Sequence, residues 1–171
     1  MFNVATTRFN TQTFGENSDW RKRHNHTGCI YGVMKPITTA TVSLESYLFV
    51  LEMNNQTNLI EGIGLIQNML EPKENVPIYT NRNYCCFAYY SPYRVDRAEL
   101  SERAGHVLSI LDILVFKGPC HLKRGQGITV VPETILLRGR LDFVAELAHV
   151  FKEKYKTLKL DGQALVVKRR D

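Results

Sequence analysis

The chain has 171 residues, 44% of them hydrophobic, and a formal charge of +5 from 22 Lys and Arg against 17 Asp and Glu. That length suits one domain able to bury its own core without disulfide or metal, and the apolar and aromatic content excludes wholesale disorder. No apolar run approaches the ~20 residues that span a bilayer, so no membrane partner is expected, and the basic balance favours anionic partners.

Residues 2–5 form a short apolar piece. The opening MFNVATTRFN lacks a basic stretch followed by an apolar one, so no signal peptide is expected. The polar run TTRFNTQTFGENSDWRKRHNHTG reads as loop with one helical turn, and residues 29–33 as a short strand. SYLFVLEMNN and LIEGIGLIQN, joined by QTN, read as a β-hairpin. Few positions on either face are polar, so this hairpin should be central and buried. Gly62 and Gly64 in its second strand imply close approach by a backbone, a bulge or a ligand.

MLEPKENVPIYTNRN reads as loop and YCCFAYYSPY as an aromatic strand stopped by Pro92. Residues 96–116 carry the clearest helical pattern, with Asp96 and Glu99 spaced as a capping box and Leu100, Ala104, Val107, Leu108, Leu111 and Leu114 on one stripe. ITVVP is a short strand, and a second amphipathic helix starts near Leu141. The order implies an α+β fold: a curved or barrel-like mixed sheet flanked by two or three helices. Residues 1–156 form the domain and 157–171 a basic C-terminal tail, within which 164–167 suit an edge strand.

The cysteines Cys29, Cys85, Cys86 and Cys120 form no CxxC pair. They read as reduced thiols of an intracellular protein. Cys120–His121 and His24–His26 lack the spacing of a zinc finger, so no metal is expected. GPCHLKRG has no Lys-Ser/Thr after its second glycine, which excludes a Walker ATPase, and there is no GxGxxG; no cofactor is expected.

The run KGPCHLKRGQG, residues 117–127, is too basic and too rich in glycine to be core. Lys117, His121, Lys123 and Arg124 can meet phosphates, Gly125 and Gly127 let the backbone present N–H groups, and Gln126 can read a base edge or ribose. Equally, the run suits a solvated loop closing a helix onto a strand. Trp20, within DWRKRHNH, combines an aromatic face with cations, as a base-stacking site needs, and also suits a core plug beside a solvated basic face; Tyr31, beside Gly32, could line a pocket but suits a buried core tyrosine better.

The set GCIYG, VLEMNN, IEGIGLIQN and HLKRGQGIT, spread over residues 20–137, resembles a protein family encoded by large nucleocytoplasmic DNA viruses. That family carries no assigned activity; the resemblance implies a viral protein in host cytoplasm or nucleus. The order of motifs also resembles the PUA-like superfamily, in particular its YTH and EVE branches. GCIYG stands where YTH domains have Gly-x-Trp-Ala, VLEMNNQTNLIEGIGLI resembles their hairpin, and RGQGI their Arg-x-Gly-Gln-x-Ile stretch. YTH domains bind RNA and hold N6-methyladenosine in an aromatic cage. The resemblance implies a nucleic-acid-binding domain, RNA favoured, that takes a modified or flipped base. Tyr31 and Trp20 would then line the base pocket with Asn54 and Asn55, while Lys123 and Arg124 hold phosphates, joined by Arg8 or the cluster Arg21, Lys22 and Arg23. Tyr84, Tyr89 and Tyr90 are candidates for its second aromatic wall. Two other readings share the same residues. One is a metal-independent ribonuclease-like enzyme, by analogy with the ASCH branch, using Lys117, Tyr31, His121 or Lys123. The other is a protein-interaction or virion component with no nucleic acid, relying on the basic run from Lys152 to Arg170 and an exposed sheet edge.

Overall fold

The computed structural model describes residues 2–70 and 76–156, together with the backbone of 159–160 and 163–164. The chain opens with strand β1 (Phe2–Phe9), helix α1 (Thr11–Arg23) and strand β2 (Cys29–Val33). The hairpin β3 (Tyr47–Asn54) and β4 (Leu59–Gln67) follows, then β5 (Phe87–Ser91) and β6 (Arg94–Asp96). After helix α2 (Glu102–Phe116) come β7 (Ile128–Val130), a single helical turn α3 (Glu133–Leu136) and helix α4 (Phe143–Lys154).

Five strands make one mixed sheet in the order β6-β4-β3-β1-β7. β1 and β3 are parallel, and the other neighbours are antiparallel. The hairpin is central, as its apolar faces require. The sheet is open: β6 and β7 are its edges, which corrects the barrel-like expectation. β2 and β5 form a separate ribbon.

Period-two alternation divides the sheet's side chains between two cores. Phe49, Leu51, Met53, Ile63 and Leu65 pack with α2 and α4 through Leu108, Leu111, Leu147 and Phe151. Leu48, Val50 and Ile66 face the other way, onto α1 and the β2–β5 ribbon through Trp20, Ile30, Tyr31 and Tyr89. A sheet covered on both faces needs strands apolar on both sides, and that is how the hairpin reads.

Helix α1 replaces the expected loop. Its helical stripe is weak because Asn17 and Trp20 are its buried residues. It starts at a capping box closed by Thr13 on Asn10, where the usual signature has Glu or Gln. The Asp96–Glu99 box does form, but it caps a short 3-10 turn, Arg97–Glu99; Ser101 then caps α2. Tyr84 and Cys85 lie in another 3-10 turn, Arg82–Cys85, so the aromatic strand starts only at Phe87. In the C-terminal stretch, Lys159–Leu160 pairs with Gln163–Ala164 as a small ribbon β8–β9. The remainder of the expected edge strand at 164–167, and most of the tail, lie outside the described residues. No helix among the described residues is long and apolar enough to cross a membrane.

Candidate functional site

The β1–β7 ladder ends with Thr7 opposite Ile128, while β1 continues two residues further along β3. Where the two strands part, a cleft of about 250 Å³ opens. Gly125, Gln126 and Gly127 of the basic loop form one wall; Arg8, Asn10 and Thr13 form another. Gly32, Asn55, Tyr79 and Tyr84 complete the lining. Gly127 has φ +66°, a left-handed conformation that favours glycine, and it lies against Val33.

The loop is held by its backbone. The Lys123 carbonyl accepts from Arg8 Nη1 and from Asn55 Nδ2, both at 2.9 Å. Because a carbonyl only accepts, the Asn55 amide must turn its nitrogen toward Lys123. Its Oδ1 is then left buried without a hydrogen-bond partner. Such an atom costs ~1–3 kcal/mol relative to a satisfied one. The N-terminus of α1 is occupied by contrast: Thr11 N–H donates to Gln56 Oε1 at 2.7 Å and Thr13 N–H to Asn10 Oδ1 at 2.7 Å.

Of the residues expected at phosphates, Gln126 lines the cleft, and Arg124 is exposed beside it. Lys123 is half-buried, and its amide donates to His121 Nδ1 at 3.3 Å. Lys117 is exposed at the end of α2, at the far end of the loop. Asn55 lines the cleft, whereas Asn54 is buried in the hairpin turn, donating to Glu61 at 3.0 Å and accepting from the Gln56 amide at 3.1 Å.

The structure corrects the two aromatic walls. Tyr31 has no exposed surface and Trp20 is 8% exposed, so neither ring offers a face to a base. Tyr31 lies beneath the ribbon instead, donating its hydroxyl to Glu52 Oε1 at 2.8 Å. Glu52 in turn accepts three hydrogen bonds from Arg94, the shortest 2.7 Å, and Arg94 reaches Asp96 at 2.9 Å. Burial pulls the Arg94 guanidinium down, but the Glu52 carboxylate outweighs it and holds it well above its usual range. Burial and the Glu52 charge push the Cys29 thiol up to about 12. Gly62 and Gly64 leave room for the Arg94 and Tyr31 side chains respectively, in place of the expected backbone or ligand, and the β3–β4 register shifts beside Gly62 as a bulge would require.

Tyr84 is half-buried and lines the cleft; Tyr89 is buried, and Tyr90 is 45% exposed on the ribbon. Arg8, expected at phosphates, does line the cleft, whereas Asn10 and Thr13 beside it were hidden by reading residues 6–28 as loop. Among the described residues, no three His, Cys, Asp or Glu side chains gather as a metal would require. Compared with protein-family models, curated proteins and solved structures, the chain matches none.

Proposed function

We propose that the chain is a nucleic-acid-binding domain, RNA favoured, that admits one unstacked base to the cleft between the basic loop and the β2–β5 ribbon. One observation carries this reading: the glycine-rich loop and the strand bearing GCIYG border the same cleft, meeting through Gly127, Val33 and Gly32. At about 250 Å³ the cleft is smaller than the ~300–1,000 Å³ typical of drug-sized ligands, a size suited to a single base. Tyr84 is the aromatic available for stacking. Gln126 offers both a donor and an acceptor, and Asn55 Oδ1 accepts from a base amino group once the loop shifts to admit it. Arg8, Lys123 and Arg124 supply charge for the phosphates at the rim. The PUA-like relationship belongs to this reading and rests on the order of the sequence motifs. An intracellular, viral setting goes with it, supported by the four free cysteines and the same motifs.

The test is fluorescence anisotropy with labelled single-stranded RNA and DNA over a salt series. Binding should weaken steeply with salt, and Lys123→Ala/Arg124→Ala should flatten the slope by about one unit per lost phosphate contact. Tyr84→Ala should cost ~1–3 kcal/mol, roughly 5- to 150-fold in affinity. Absence of binding to every nucleic acid at low salt would overturn the proposal.

A further inference from the structure

The far end of α1 carries four rings in continuous contact. His24 stacks on Trp20 with centroids 4.0 Å apart, His26 meets Trp20 edge-on at 6.3 Å, and Tyr90 stacks on His26 at 4.2 Å. The inner ring, Trp20, is buried, and its Nε1 has no hydrogen-bond partner. The outer rings, His24 and Tyr90, are exposed. Lys22 and Arg23 are exposed in the last turn of α1, with Asp19 as the nearby carboxylate, 3.9 Å from Lys22. Cations in the last turn of a helix are accounted for by its carbonyl end. Two exposed rings at that same helix end are not.

The β2–β5 ribbon and α1 both run from the cleft to this stack. In the β2–β5 ladder Gly32 is opposite Ala88 and Ile30 is opposite Tyr90, so these four share one face of the ribbon, with Tyr31 and Tyr89 on the other. Gly32 lines the cleft, and Tyr90 lies two residues along the ladder. Helix α1 spans the same interval from above: Asn10 and Thr13 line the cleft at its start, and His24 follows its end. Its 13 residues correspond to ~20 Å, the length of about six phosphates in a stacked strand.

We infer that the His24–Trp20–His26–Tyr90 stack, with Lys22 and Arg23, is a second contact for single-stranded nucleic acid, holding the strand that leads away from the base in the cleft. This rests on the proposed role of the cleft. A single strand is the partner the observations favour, because exposed ring faces stack on bases that are free of pairing, and the adjacent cations meet the phosphates.

The experiment compares a labelled single-stranded RNA of about fifteen nucleotides, a trinucleotide and a duplex of about fifteen base pairs, each titrated against wild type and three variants. The variants are His24→Ala/Tyr90→Ala, the charge reversal Lys22→Glu/Arg23→Glu, and Tyr84→Ala in the cleft. The first two should weaken the long strand about tenfold or more and leave the trinucleotide unchanged, whereas Tyr84→Ala should weaken both. Trp20 is the only tryptophan, so its emission reports on this stack directly: the long strand should change it and the trinucleotide should not. If the ring and charge variants bind the long strand like wild type while Tyr84→Ala weakens both ligands, the second contact is overturned and the cleft reading stands. Equal weakening of both ligands by the ring variants, or a duplex bound as tightly as the single strand, also overturns it. Tyr84→Ala with no effect on either ligand overturns the cleft reading itself.

Discussion

Asn55 and Lys123, 68 residues apart in the chain, are joined by one 2.9 Å hydrogen bond from the Asn55 amide to the Lys123 carbonyl. That bond and its partner from Arg8 tie the basic loop to the sheet by its backbone, leaving the Arg124 and Gln126 side chains exposed.

Asn55→Asp should therefore be worse than Asn55→Ala. Alanine loses one hydrogen bond, worth ~1 kcal/mol, but also removes the unpartnered Oδ1 and leaves Arg8 on the carbonyl, so its effects offset. Aspartate sets a carboxylate against that same carbonyl, two acceptors with no proton between them. Urea denaturation should place Ala close to wild type and Asp below both. Nucleic-acid affinity, where the proposed reading holds, should be lowest for Asp.

The pair Glu52–Arg94 is buried on both sides, with side-chain exposures of 2% and 5%. Arg94→Met leaves a buried carboxylate unpaired and should cost ~3–5 kcal/mol. Adding Glu52→Gln to Arg94→Met should recover a substantial part of that loss. Denaturation midpoints of the two single variants and the double variant check this, and strict additivity would contradict it.

Acid should destabilise the protein in part through Asp96 and Glu99. Burial pushes the Asp96 carboxyl up, but the hydrogen bonds from Arg94 and the Ala98 amide outweigh it and hold it below the usual range. The hydrogen bond from Lys154 does the same for Glu99. A carboxyl lowered by folding adds stability that is present above its unfolded value near pH 4 and lost as pH falls through its folded value. Asp112 has the opposite sign: burial holds it above the usual range, so its contribution declines as pH rises from about 4 through its folded value. Asp96→Asn/Glu99→Gln should flatten the stability profile below about pH 4.

Thiol reactivity should divide the cysteines in two. Cys86 and Cys120 are exposed, while Cys29 and Cys85 are buried, and Cys29 remains a thiol at any ordinary pH. Alkylation of the native protein near pH 8 should label Cys86 and Cys120 alone, and all four after unfolding, as mass spectrometry would show.

Two glycines should respond oppositely to alanine. At Gly105 in α2 a Cβ meets nothing within 4 Å, so the change should stabilise by ~0.5–1 kcal/mol. At Gly64 a Cβ runs into the Tyr31 hydroxyl and Cys29, and should cost ~1–3 kcal/mol as overpacking. Thermal midpoints of the two variants give the signs.

The central hairpin was legible from apolar runs on both faces, α2 and α4 from a stripe at the helical period, and β2 and β7 from short apolar, β-branched runs. Helix α1 was not, because it buries so little: Trp20 holds it to the ribbon, and its other buried side chain is a polar Asn17 bonded to the Ile30 carbonyl at 2.7 Å. Tyr31 is the buried core tyrosine that its composition suits, and only the resemblance to YTH domains put it on a pocket wall. The carboxylate that claims its hydroxyl, Glu52, lies 21 residues away on another strand. The basic loop could be found from composition, but its facing wall at Arg8 and Asn10 depends on where β7 leaves β1, a matter of register between segments more than a hundred residues apart.

The cleft draws its lining from segments near positions 10, 32, 55, 80 and 126, so almost the whole fold must be in place before its walls face each other. Occupancy and global unfolding are then thermodynamically linked: whatever fills the cleft selects the folded ensemble. A ligand at a hundred times its dissociation constant should raise the unfolding free energy by about 2.7 kcal/mol, which turns an ordinary thermal melt into a screen for the occupant.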